Sequence, residues 1–70
     1  MKKICHNSTS VIYEDGDNWI WKTDDSEQII RKAEQPLFPL VAVIKYEMIP
    51  DEEETLNKLR EIASGRRNNS

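Results

Sequence analysis

Lys45 closes the apolar run Leu40-Val41-Ala42-Val43-Ile44, and three consecutive glutamates, Glu52 to Glu54, follow shortly after. A lysine at the end of a buried strand, paired with an acidic helix, is how phosphotransfer enzymes grip nucleotide phosphates. That arrangement needs an alanine two residues before the lysine, on the same strand face, and here Ala42 stands three before Lys45. It also needs a glycine-rich loop to supply backbone amides, whereas the chain has only 2 glycines, Gly16 and Gly65. Lys45 therefore reads as the solvated end of an ordinary strand.

The other candidates for chemistry fail on ligand number or on support. Cys5 and His6 are adjacent, which is poor chelating geometry, and they supply two ligands where a structural zinc takes four. Asp15 and Asp17 form a D-x-D pair like the opening of a calcium loop, yet the position that needs a bidentate glutamate holds Ser26. His6, the 1 histidine, would have to activate a nucleophile from an N-terminal lead that nothing holds in place. The carboxylates sit at turns and helix starts, where water surrounds them. No catalytic, metal or cofactor site is expected, and the chain reads as a protein that is not an enzyme.

What remains is binding. The chain carries 13 acids and 10 bases, a formal charge of −3. Four of those bases, Lys2, Lys3, Arg66 and Arg67, lie at the ends, so thirteen acids face six bases over residues 4–65. Such a field repels a phosphate backbone and attracts basic surfaces. Tyr13, Trp19 and Trp21 on one sheet face could stack bases, but that mode needs a basic groove and only Lys22 and Lys45 are near. Direct nucleic-acid binding is disfavoured on this ground.

A single cysteine leaves no internal disulfide framework. Only Ile4 and Cys5 separate the leading lysines from the polar run Asn7 to Ser10, which is too short for the apolar part of a signal peptide. The longest apolar run, Leu37 to Ile44, is broken by Pro39 and is too short to cross a bilayer. A cytoplasmic protein without a membrane partner is the expectation.

These groups must be positioned by few elements. Ser10 to Thr23 alternates β-branched and aromatic residues around Asp15-Gly16, a strong hairpin signal. A three-residue loop, Glu14 to Gly16, would pair Val11 with Trp19 and set Val11, Tyr13, Trp19 and Trp21 on one face. Asp24 to Gln35 predicts a short helix, with Asp24 and Glu27 as a capping box and Pro36 as the stop. Leu40 to Ile49 alternates with period two and predicts a central strand. Asp51 to Gly65 predicts a second helix: Asp51 caps, Glu54 completes a box, and Leu56, Leu59, Ile62 and Ala63 form the inward stripe.

The expected fold is thus a small α+β single domain, ββαβα, with a three-stranded sheet and two helices over residues 9–65. Residues 1–8 read as a flexible N-terminus and 66–70 as a disordered tail. If both helices cover the face bearing the tryptophans, Ile12, Ile20, Val41 and Val43, with Ile49, line the other face as an uncovered apolar patch. The leading expectation is a non-catalytic protein-binding or regulatory module acting through that face or a strand edge, with a protein partner or a second copy of itself. The alternative is an acidic decoy of the kind phages and mobile elements carry, in which Glu14, Asp15, Asp17, Asp24, Asp25, Asp51, Glu52, Glu53 and Glu54 occupy the basic groove of a nucleic-acid-binding protein.

Overall fold

The structure is a computed structural model and describes residues 1–65. The tail expected to be disordered, 66–70, lies outside the described residues. The chain forms β1 (Lys2–His6), β2 (Ser10–Asp15), β3 (Asn18–Thr23), β4 (Glu27–Arg31), α1 (Phe38–Lys45), β5 (Ile49–Pro50) and α2 (Glu53–Gly65). The result is an α+β fold whose five strands are antiparallel in the order β4-β3-β2-β1-β5. A five-stranded sheet with two helices therefore replaces the three-stranded ββαβα arrangement.

The hairpin forms over the expected segment, with its register moved by three residues, so that Val11 opposes Lys22 rather than Trp19. Asp15 pairs with Asn18, so Gly16 and Asp17 are the turn. Gly16 takes φ +59 at the first central position, where a type II′ turn needs a residue free of a Cβ. Ile12 consequently faces Trp21 and Glu14 faces Trp19, while Val11 and Tyr13 go to the opposite face with Lys22 and Ile20. The two tryptophans do share a face, as expected, but Val11 and Tyr13 do not join them.

Two elements exchange character. The segment expected as the first helix holds β4, because Asp24-Asp25 is a hairpin turn rather than a helix start. Thr23 donates its N–H to the Ser26 carbonyl at 2.8 Å, and Ser26 returns its N–H to Thr23 Oγ1 at 3.1 Å. Extended pairing then splits Ile29 and Ile30 to opposite faces, with Ile30 inward against the core.

The expected central strand, Leu40 to Ile49, is instead mostly α1. Pro39 sits in the first helical turn, where its missing N–H costs nothing, and Phe38 and Ala42 bury one face at i, i+4 spacing. The helix ends in a Schellman-type closure: Met48 donates its N–H to the Val43 carbonyl at 3.2 Å, and Glu47 takes the left-handed φ of +52. Met48 is buried directly after it.

Residues 1–8, read as a flexible lead, contain β1, which lies between β2 and β5. A register shift between Lys3 and Cys5 bulges the strand at Ile4 and sends both Ile4 and Cys5 into the core. Lys2 and Lys3 accordingly belong to the fold, with Lys2 Nζ 3.1 Å from Glu54 Oε1 and Lys3 Nζ 4.0 Å from Asp51 Oδ1. The core joins Ile4, Cys5, Ile12 and Trp19 of the sheet to Phe38, Ala42 and Met48, with Ile62 of α2 packed against it. Both helices thus lie over one sheet face. No helix among the described residues is long and apolar enough to cross a membrane.

Candidate functional site

β4 is the edge of the sheet, and its hydrogen-bonding parity follows from its two ends. Thr23 N–H bonds to Ser26 O, and Lys32 N–H bonds to Asp17 O at 2.9 Å. Bonded pairs alternate in an antiparallel ladder, so Trp21 with Gln28 and Trp19 with Ile30 are the bonded pairs between them. The backbone N–H groups of Glu27, Ile29 and Arg31 therefore point away from the sheet. The carbonyls of Glu27 and Ile29 do the same, whereas that of Arg31 accepts from Glu34 and Gln35 at 3.0 and 3.1 Å.

The side chains of Glu27, Ile29 and Arg31 share the sheet face that carries no helix. A row crosses that face from Lys3 through Tyr13 and Ile20 to Ile29. Ile20 is covered within the row, but Ile29 at its end is 63% exposed. On the other face, a groove of about 280 Å³ runs between the β4 side of the sheet and α1. Trp21, Gln28 and Ile30 form its sheet wall, and Phe38, Val41, Ala42 and Lys45 its helix wall, with Gln35 and Tyr46 also lining it. Trp21 packs its ring 5.6 Å from Phe38 and 4.9 Å from Tyr46. Val41 and Ile44 stand 50% and 72% exposed on the outer side of α1.

The residues expected to form one apolar patch are not brought together. Ile12 is fully buried beneath the helices, Val43 is half-buried against the core, and Ile20 is buried on the opposite sheet face. Val41 is exposed, but on α1 beside the groove. Ile49, the fifth of that set, is exposed in β5 at the far edge of the sheet. Lys45 ends α1 with its ammonium 5.5 Å from the Tyr46 ring. Ile29, Ile44 and Tyr46 were missed as surface residues. The adjacent Ile29-Ile30 pair was the available signal, since in a strand one of two neighbours must face outward.

The acidic residues also separate. Asp15 ends β2 and Asp17 lies in the β2–β3 turn, Asp24 and Asp25 form the β3–β4 turn at the opposite end of β3, and Glu53 and Glu54 begin α2 with Glu52 just before them. Glu14 faces inward and is gripped by Lys32 Nζ at 2.6 Å and by Lys58. Burial works to raise its carboxyl, and the hydrogen bonds from the two lysines outweigh that and hold it below the usual glutamate value. Lys32 also lies 4.6 Å from the Trp19 ring centre, so the cluster ties α2 and the β4 exit to the core.

The Asp51 carboxylate meets two neighbours across the β1–β5 join: its Oδ1 accepts a hydrogen bond from His6 Nδ1 at 2.6 Å and forms an ion pair with Lys3 Nζ at 4.0 Å. Burial, with the Asp51 carboxylate adding, pushes the Cys5 thiol up to about 12. At neutral pH that thiol is protonated and poorly nucleophilic. Cys5 and His6 also point to opposite sheet faces, Cys5 into the core and His6 beside Val11 and Ile49. Comparison with protein-family models, curated proteins and solved structures finds no match to this chain.

Proposed function

We propose that this protein is a non-catalytic protein-binding module whose contact region is the β4 edge together with the groove between β4 and α1. The observation that carries the reading is the conjunction of outward backbone donors and acceptors on β4 with exposed apolar side chains on both sides of it. An extended segment added to such an edge gains main-chain hydrogen bonds, and its alternate side chains enter the groove or cover Ile29. Trp21, Phe38 and Tyr46 supply the aromatic surface that dominates desolvated interface centres. The acidic-decoy alternative has weaker support, because its carboxylates are dispersed and Glu14 is held internally.

The test is capture of protein partners from the source cells by the full chain and by two variants. The edge variant, Ile29→Lys with Val41→Lys, should lose the captured partner, and the acid variant, Asp24→Lys with Asp25→Lys and Glu53→Lys, should keep it. The reverse pattern, with capture that fades steeply as salt rises, would discard the edge and favour the acidic surface.

A further inference from the structure

The edge just described is self-complementary, and we infer that its partner is a second copy of this chain, paired antiparallel β4 to β4 about a two-fold axis at Ile29. The inference rests on the binding role proposed for the β4 edge and names the occupant.

Backbone parity, charge and apolar surface agree on this one register. Setting Ile29 opposite its own copy places Glu27 opposite Arg31 and Arg31 opposite Glu27. Every residue in those pairs is one whose backbone points outward, so the bonded positions of both strands coincide. Ile29 N–H donates to the partner's Ile29 carbonyl, and Arg31 N–H donates to the partner's Glu27 carbonyl, each twice by symmetry. The Arg31 carbonyl, already occupied by Glu34 and Gln35, is not required. A register one residue away would set outward groups against inward ones and lose the ladder.

The side chains match as well as the backbone. Glu27 and Arg31 lie on the same face, so the two-fold makes a carboxylate-guanidinium pair on each side of Ile29. Arg31 sits 3.7 Å from Glu34 within its own chain, but both are largely exposed and that pair yields readily. Between the charge pairs, Ile29 meets its copy, and the row Tyr13-Ile20-Ile29 continues without interruption into the second sheet. An axis perpendicular to the sheet keeps both copies of α1 on the same side, which turns Val41 and the open side of the groove toward the seam. An isologous contact of this kind closes on itself and leaves only the short β5 edge of each chain outside.

The experiment is sedimentation equilibrium of the full chain from micromolar to millimolar concentration, with thermal unfolding to establish that each variant is folded. The wild type should pass from the mass of one chain to twice that mass. Ile29→Pro deletes an N–H that β3 does not use, so it should remain folded and stay at one mass throughout. Glu27→Arg and Arg31→Glu should each weaken association by roughly tenfold, since each replaces two attractive pairs by two repulsive ones. Mixing those two single variants should restore the doubled mass, because a mixed pair sets opposite charges face to face at both positions. A wild type that keeps one mass up to millimolar concentration, or a doubled mass indifferent to all three substitutions, would overturn the inference. The first result would leave the edge open to a different chain, which the capture experiment reads separately; loss of both would remove the edge as a site.

Discussion

The two edges of this sheet are built on opposite principles. β5 has two residues, and Pro50 contributes no N–H; the rest of β1's rim carries Lys2 and Lys3 and is tied to Asp51 and Glu54. Short length, proline and lysine are the usual means of keeping a strand from pairing with another chain. β4, at the other side, runs five residues without proline or bulge and ends its cross-sheet row on an exposed isoleucine. One edge is sealed and the other is open, so stability should concentrate at the first and association at the second.

The largest expected effect comes from unsealing the first edge. Met48 is buried in the turn that returns α1 to β5, and Met48→Ala should cost about 2–5 kcal/mol by denaturant unfolding, with aggregation rising as β1 loses its cover. Asp51→Ala should cost about 1–2 kcal/mol, because it removes the His6 contact and leaves polar groups beside β1 without their partner; loss of amide protection at Asp51, whose N–H bonds Ile4 O, would accompany it. A change below about 0.3 kcal/mol would deny that this join carries the seal.

Smaller effects lie between the edges. Glu47→Gly should raise stability by about 1 kcal/mol, since glycine takes the left-handed turn without the Cβ clash that glutamate bears. Glu14→Gln should cost about 1 kcal/mol at pH 7. Because the folded-state pKa of Glu14 lies below its ordinary value of 4.5, its contribution is complete above that value and is lost as pH falls through the folded pKa. The deficit of the glutamine variant should therefore shrink in acid; a constant deficit would assign Glu14 a packing role instead. Smallest of all, Ile29→Lys should change the unfolding free energy measured at dilution by no more than about 0.5 kcal/mol, although it sits on the edge assigned to association.

The sealed edge and the open one were both hidden in the sequence, for different reasons. In β1 the bulge at Ile4 places neighbouring Ile4 and Cys5 inside together, which erases the alternation by which a strand is recognised. In β4, Asp24 with Glu27 imitates a helix cap, and only the contacts from Thr23 to Ser26 reveal a turn. α1 was obscured because Val41 and Ile44 are apolar on its outer side as well, so period two fitted as well as 3.6. The β2–β3 hairpin and α2 were legible, since Gly16 marks one turn and acids with a spaced apolar stripe mark the helix. The patch Ile12, Ile20, Val41 and Val43 inherited the wrong register and the wrong element, and dispersed once both were corrected.

The most direct measurement is residue-resolved amide hydrogen exchange of β4 at two protein concentrations. At dilution Gln28 and Ile30 should be protected while Glu27, Ile29 and Arg31 exchange rapidly; at millimolar concentration Ile29 and Arg31 should become protected and Glu27 should not. Protection of Ile29 equal to that of Gln28 at dilution, or rates at Ile29 and Arg31 that ignore concentration, would contradict an open edge awaiting a second copy.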